Sequence, residues 1–177
     1  MMATTEIQAQ NIPAGIRMEV GEAETDHGEY SLFTYKDTNE DDSFGYYLSV
    51  GKVTKILGAI RDDITDMDFD AIRETCICLG STADEAFATL DTIIDLFSQD
   101  VETSVEFPAR VVTGSGRLGE PTTSLCVVKK KAVGGKRLQF VFTIGKSQGE
   151  AYLPKTVVKE LKMELKMDKK LHPKQHR

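Results

Sequence analysis

The chain has 177 residues, of which 40% are hydrophobic and 28% are charged. This composition is typical of a globular protein and excludes a fibrous or low-complexity one. No run of about 18 apolar residues is present, so the sequence predicts no membrane-spanning helix.

Residues 1–15 carry neither the basic nor the apolar region of a secretory signal. We expect these residues to form a flexible tail. Three cysteines, Cys76, Cys78 and Cys126, make an odd count that does not suit a disulfide framework. We therefore expect a cytoplasmic protein, or a virion component if its source is viral.

Charge is distributed very unevenly along the chain. Residues 1–107 contain 6 Lys and Arg against 23 Asp and Glu, whereas residues 108–177 contain 16 against 5. The net charge of −6 therefore hides an acidic part and a basic part. Such asymmetry indicates nucleic-acid binding or docking between oppositely charged surfaces. Neutralisation of one half by the other within a single fold is the third explanation.

The N-terminal part of the chain reads mostly as strands. Alternating apolar residues predict a strand over 16–20, before an acidic, turn-like stretch. Runs of β-branched and aromatic residues over 30–36 and 44–50 predict a hairpin. Apolar residues at helical spacing predict a helix over 53–64, and residues 75–79 read as a short strand.

The rest of the chain is predicted to contain two helices and three strands. The capping box Thr82-x-x-Glu85 predicts a helix over 83–98. Pro154 begins the final helix, 154–168, because its missing N–H costs nothing in a first turn. Residues 171–177 form a basic tail that we expect to fray. The predicted strands cover 105–112, 124–130 and 138–144, the last two joined by a Gly134-Gly135 turn.

Two stretches of the chain resemble each other. A run beginning at Ser31, a second run and Gly51-Lys52 correspond to a run beginning at Ser124, a second run and Gly145-Lys146. The sequence therefore predicts an α+β fold, with antiparallel sheets from two hairpin-plus-helix units and an additional helix. The units would be 16–64 and 105–168, joined by 65–104, within one domain over 16–170.

Several stretches resemble catalytic or metal-binding motifs but lack features that those motifs require. Gly114-Ser-Gly116-Arg-Leu-Gly119 has the glycine spacing of a dinucleotide site, but a strand rather than a helix is predicted after it. The acidic run 62–70 lacks the glycine and glutamate that a calcium loop needs. The histidines, His27, His172 and His176, lie in an acidic loop or the basic tail, so we expect neither a zinc site with the cysteines nor a nucleophile–base pair. We expect no cofactor, metal or catalytic residue.

The basic residues of the C-terminal half are the candidate site. They surround the predicted hairpin 124–144, and a positive groove of this kind can follow the phosphates of a nucleic acid. Leu138, Phe140 and Phe142 share one strand face and are predicted to lie in the core. Tyr30, Tyr35, Tyr46 and Tyr47 are the predicted exposed aromatic residues for base stacking. The candidate phosphate contacts are Lys129, Lys130, Lys131, Lys136, Arg137, Lys146, Arg110 and Arg117.

Two sheet-then-helix repeats, with the echo of Val50-Gly51-Lys52 in Ile144-Gly145-Lys146, resemble the Whirly family. The resemblance covers 16–64 and 105–168 and implies sheets that bind single-stranded DNA, with helices that hold an oligomer. The family's Lys-Gly-Lys-Ala-Ala-Leu signature is missing, the helix 83–98 is extra, and the first half is acidic. No binding residue is transferred from the family.

Three functions follow from these features. The leading expectation is a non-enzymatic protein that binds nucleic acid and prefers single strands through its basic half. The alternative is a structural or assembly protein, including a viral one, that self-associates by docking acidic on basic halves. An enzyme is the third class, because acid–base sites can be assembled from residues that no spacing reveals.

Overall fold

The computed structural model describes residues 15–26, 28–37, 44–51, 54–55, 72–113, 118–119, 121–144 and 147–176. Two helices lie in these ranges, α1 (Ala83–Leu96) and α2 (Lys155–Leu171), and a short 3₁₀ turn, Pro173–His176, follows α2. The strands are β1 (Gly15–Thr25), β2 (Gly28–Asp37), β3 (Phe44–Ser49), β4 (Thr54–Lys55), β5 (Ile72–Gly80), β6 (Ser104–Thr113), β7 (Thr122–Lys130), β8 (Lys136–Ile144) and β9 (Ser147–Leu153).

The strands form one antiparallel sheet in the order β1-β2-β3-β5-β6-β7-β8-β9-β4. The sheet is curled, because strands far apart in this order approach each other across its inner face. The Tyr30 hydroxyl on β2 donates a hydrogen bond of 2.5 Å to the Tyr152 carbonyl on β9. The predicted α+β class with an antiparallel sheet is confirmed.

The main core lies between the inner face of the sheet and the two helices. Side chains alternate across a strand, so Leu138, Phe140 and Phe142 of β8 all point inward and are fully buried, as predicted. Leu90 of α1 and Leu161 of α2 meet them in the same apolar cluster. Burial of each such side chain stabilises the fold by about 1.5–3 kcal/mol, an upper bound for a real unfolded chain.

Helix α1 begins where the sequence predicts. The Thr82 hydroxyl accepts a hydrogen bond from the backbone N–H of Glu85 at 3.1 Å, which satisfies a free donor of the first turn. The Glu85 carboxylate accepts from the backbone N–H of Ser81 at 2.7 Å and from its hydroxyl at 3.1 Å. These bonds to the ionised form lower the pKa of Glu85.

Helix α2 also matches its prediction and extends further at its C-terminal end. Its apolar stripe, which includes Val158, Leu161 and Leu165, is fully buried against the sheet and α1. No helix in the described ranges is long and apolar enough to cross a membrane.

The helix predicted over 53–64 does not begin there. Thr54–Lys55 is strand β4, and it pairs with Gly149 and Glu150 of β9. Residues 56–64 lie outside the described ranges. Strand β9 is absent from the sequence-based prediction and stands between β8 and α2, so the second unit is three strands and a helix. Long-range pairing between β4 and β9 overrides the local helical spacing. The duplication stays a prediction.

Two further expectations are wrong. β1 continues through the stretch predicted to be an acidic turn and ends only at Thr25. The tail predicted to fray forms the 3₁₀ turn, and the His176 side chain is buried. The end of β1 pairs with the start of β2 in a tight hairpin, whereas His176 gains a partner on β3, far away in sequence.

Candidate nucleic-acid interface

The hairpin of β7 and β8 carries most of the candidate site. Its turn depends on two glycines, because Gly134 has a φ of 55° and Gly135 a φ of 77°, in the left-handed region that favours glycine. The backbone N–H of Lys131 donates to the Gly135 carbonyl at 3.1 Å and closes the turn. The glycines therefore hold the predicted phosphate contacts on two adjacent strand ends.

Strand register sets positive side chains directly against each other. Lys129 pairs with Arg137, and Lys130 pairs with Lys136. Like charges in opposite positions of an antiparallel pair destabilise a sheet. Two such pairs in succession concentrate positive charge at this end of the sheet at a cost to stability.

Two of these lysines already interact with acceptor groups of the protein itself. The Lys129 ammonium donates to both carboxylate oxygens of Glu102, at 2.9 and 3.1 Å. The Lys136 ammonium donates to the backbone carbonyl of Gln99. Lys130 and Lys131 are exposed and have no side-chain partner within the described ranges. These two lysines are therefore the cations most available to an anion.

An aromatic ring lies beside the Lys129–Arg137 pair on the outer face of the sheet. The Arg137 guanidinium carbon is 3.8 Å from the centroid of the Tyr152 ring on β9. Gln139 donates to the Tyr152 hydroxyl at 3.4 Å and also to the Glu150 carboxylate. Arginine planes and aromatic rings both stack on nucleic-acid bases. Sequence reasoning misses Tyr152, because it does not predict β9.

Three other predicted contacts do not join this surface. Arg110 lies on β6, and its guanidinium donates to the carbonyls of Gly119 at 2.8 Å and Leu118 at 3.3 Å. It also lies 3.4 Å from the Tyr47 hydroxyl. Arg110 therefore holds a loop against the outer face rather than facing the hairpin. Arg117 and Lys146 lie outside the described ranges.

The prediction of exposed tyrosines is wrong. Tyr30 and Tyr46 belong to the inner core, whereas Tyr35 and Tyr47 belong to a second apolar cluster on the outer face. All four are buried. The rings of Phe33 and Tyr47 stack at 5.5 Å, and the Arg17 guanidinium lies 3.8 Å above Phe33. The sheet is apolar on both faces here, so alternation alone could not show which aromatic residues reach solvent.

The acidic and basic halves meet within the chain. Lys162 on α2 contacts the Asp91 carboxylate on α1, and Lys169 lies 3.4 Å from the Asp84 carboxylate. The helices of opposite charge are therefore joined by ion pairs as well as by their apolar faces. Part of the unequal charge distribution along the sequence is therefore neutralised within the chain, without a nucleic acid or a second protein.

A second polar site lies at the opposite end of the sheet. The Arg17 guanidinium pairs with Glu74 at 2.6 Å and with Glu19 at 2.6 Å. These residues line an open cavity of about 690 Å³ whose other charged groups are glutamates. Desolvation alone would lower the pKa of Arg17, but the two carboxylates outweigh it and raise the pKa. This acidic cleft is unsuited to a phosphate backbone.

The cysteines have the properties of structural residues. Burial raises the pKa of Cys78 to about 11 and that of Cys126 to about 12, and it raises the pKa of Cys76 further. All three are free thiols. Among the described residues, no cluster of three or more His, Cys, Asp and Glu side chains could hold a metal ion.

Comparison with models of protein families, with curated proteins and with solved structures finds no match. The resemblance to the Whirly family therefore stays a prediction.

Proposed function

We propose that this chain is a non-enzymatic protein that binds nucleic acid and prefers single strands. The ligand would wrap around the turn end of the β7–β8 hairpin, where Lys129 and Arg137 lie on the outer face and Lys130 and Lys136 on the opposite face. Lys130 and Lys131 would contact phosphates first, and Lys129, Lys136 and Arg137 would add to them. The proposal keeps the cytoplasmic location expected from the free thiols.

The pairing of like charges carries this proposal. Lys129 opposite Arg137 and Lys130 opposite Lys136 cost stability in the free protein. A phosphate backbone that wraps around the turn end of the hairpin would neutralise both pairs, one on each face, and release counterions, so that binding would remove the repulsion. A purely structural hairpin has no need of four cations at facing positions.

The preference for single strands rests on Arg137 and Tyr152. Their stacked arrangement places a planar cation and an aromatic ring on an open sheet face. Bases that are not paired can stack on such groups, with about 1–3 kcal/mol gained for each base. Bases inside a duplex cannot reach them without unpairing. Val127 and Val141, which are partly exposed on the same face, add apolar surface beside the ring.

Alanine substitution of the two exposed lysines tests the proposal. Lys130→Ala/Lys131→Ala should weaken binding to a labelled single strand, and its salt dependence should flatten by about 0.7 for each phosphate that is no longer neutralised. The matched control is Lys36→Ala/Lys174→Ala, which removes the same charge from two exposed lysines elsewhere.

The two pairs of variants separate a local site from a general charge effect. The proposal predicts that the control binds as tightly as the unmodified chain. Equal weakening by both pairs would overturn the assignment to the hairpin. Tyr152→Leu should weaken single-strand binding and leave the salt dependence unchanged, since it removes a stacking partner but no charge.

Assembly is the second candidate function. Within one chain, Lys162 pairs with Asp91 and Lys169 with Asp84. These ion pairs already join acidic and basic regions, so they weaken the case for docking of acidic halves on basic halves between copies. A different surface, on the exposed side of α2, favours self-association.

A further inference from the structure

The exposed apolar residues of this protein are concentrated at one place. Most of the large hydrophobic side chains exposed within the described ranges lie on two neighbouring elements, β1 and α2. On α2, Met163, Met167 and Leu171 are 68%, 60% and 68% exposed. Their spacing of four residues places them along one side of the helix, opposite the buried stripe. The exposed apolar residues of β1 are Ile16 and Met18.

These two sets of residues lie on the same side of the sheet. Met18 pairs with Thr34 and Thr34 pairs with Tyr46, whose hydroxyl is bonded to His176 at the end of α2. The turn that follows α2 therefore lies on the same face of the sheet as Met18. Between the helix and β1 runs an open apolar groove of about 780 Å³, lined by Val20, Met163, Met167 and Leu171 among others. An exposed apolar surface of this kind marks an interaction site.

The edge of β1 is poorly suited to pairing with another strand. The register slips between Glu19 and Gly21, which leaves Val20 as a bulge. Charged side chains, among them Glu19 and Glu22, alternate along the same strand. Bulges and charges are the features by which proteins block edge-to-edge pairing. The partner must therefore engage the helix rather than extend the sheet.

The charges beside the methionine stripe have opposite signs on its two sides. Successive residues of a helix are about 100° apart, so Glu160 and Glu164 fall on one side and Lys159 and Lys166 on the other. Glu164 lies against Gly21 of β1, which fixes the acidic side toward the sheet edge. The basic side faces α1, where Lys162 reaches Asp91.

We infer that this surface binds a second copy of the chain, with the two α2 helices packed side by side and running in the same direction. A two-fold axis along the helices brings the acidic side of each helix against the basic side of the other. Lys159 of one copy then faces the exposed Glu160 of the second copy, and the methionine stripes pack against each other, as flanking charges and apolar seams do in parallel coiled coils. Antiparallel helices would place lysines against lysines and glutamates against glutamates.

The surface is thus complementary to itself, which an interface between identical subunits with two-fold symmetry requires. Such a contact closes at the dimer. It differs from head-to-tail docking of acidic and basic halves, which would continue to larger assemblies. The dimer leaves the β7–β8 hairpin turn out of the interface, so the inference stands independently of nucleic-acid binding.

Sedimentation equilibrium of the full chain over a wide range of concentration tests the inference. The molar mass should rise from the monomer value of 19.6 kDa to twice that value and stop there. Met163→Glu/Met167→Glu should abolish the rise. The matched control is Val133→Glu in the hairpin turn, which introduces an acidic group at a residue that is 92% exposed, and it should dimerise normally. A monomer at every concentration, growth beyond the dimer, or unchanged association of the double variant would overturn the inference.

A charge exchange tests the direction of the helices without touching apolar residues. Lys159→Glu should weaken the dimer, because it places an acidic group against Glu160 of the second copy. Adding Glu160→Lys in the same chain should restore much of the affinity, because opposite charges again face each other. A stronger dimer after Lys159→Glu alone would indicate antiparallel helices and would contradict the parallel arrangement.

Discussion

The imidazole Nδ1 of His176 lies 2.8 Å from the hydroxyl oxygen of Tyr46, in a buried contact on the inner side of the sheet. The other ring nitrogen contacts the Asp168 carboxylate of α2. Tyr46 is fully buried and His176 nearly so. The last turn of the chain therefore closes the core at β3, and it links α2 to the first half of the sheet.

Removal of this turn should destabilise the protein. A chain ending at Leu171 leaves the Tyr46 hydroxyl and the Asp168 carboxylate without their partner. An unsatisfied buried polar group costs about 1–3 kcal/mol, so we expect the free energy of unfolding in urea to fall by that amount. Lys174→Ala, which alters an exposed residue of the same turn, should leave stability unchanged. Equal stability of the full and shortened chains would show that the turn does not seal the core.

Stability should also decline at alkaline pH because of Tyr46. Burial, and secondarily the charge of Asp168, raises the pKa of Tyr46 from 10.0 to about 12. The folded state therefore favours the neutral phenol. The resulting stability is present below pH 10 and is lost as the pH rises toward 12. Urea unfolding between these pH values should show a steeper loss for the unmodified chain than for Tyr46→Phe, and parallel curves would contradict the assignment.

The thiols should be unreactive in the folded protein at neutral pH. Their raised pKa values keep them protonated, and the thiolate is the reactive form. Titration with a disulfide reagent should label Cys78 first, since it is the only one of the three that is partly exposed. Cys76 and Cys126 should react only after denaturation. Rapid labelling of all three thiols in the folded chain would exclude the burial described for them.

The cap of α1 should contribute measurably to stability. Thr82→Ala removes the acceptor for the Glu85 N–H, and the loss of such a cap costs about 1 kcal/mol. Thermal or urea unfolding measures the difference. Thr92→Ala is the matched control, because Thr92 lies on the exposed side of the same helix, and its effect should stay within about 0.5 kcal/mol. A cost as large for Thr92→Ala would show that the effect is not specific to the cap.

The parts of the fold that are predictable from sequence are those with strong local signals. The capping box at Thr82, the stripe around Leu161 and the alternation from Leu138 to Phe142 each satisfy a local rule, and each element forms where it is expected. β4 and β9 lack such signals, because they are short or interrupted by Gly149 and are stabilised by pairing with each other.

The candidate site is predictable in charge but not in geometry. The lysines of the β7–β8 hairpin are visible as a cluster in the sequence. Their facing positions follow from the register, which depends on the turn at Gly134 and Gly135. The role of Arg110 in holding a loop and the place of Tyr152 beneath Arg137 depend on the curled sheet. Neither relationship has a counterpart in sequence spacing.

The most direct test of nucleic-acid binding is fluorescence anisotropy with labelled single- and double-stranded oligonucleotides at two salt concentrations. We expect binding that favours the single strand and weakens as salt rises, with a slope of log affinity against log salt of about −0.7 for each phosphate neutralised. No binding at low salt, or equal affinity for the duplex, would contradict this function. In that case the facing lysines of the β7–β8 hairpin would need another anionic partner.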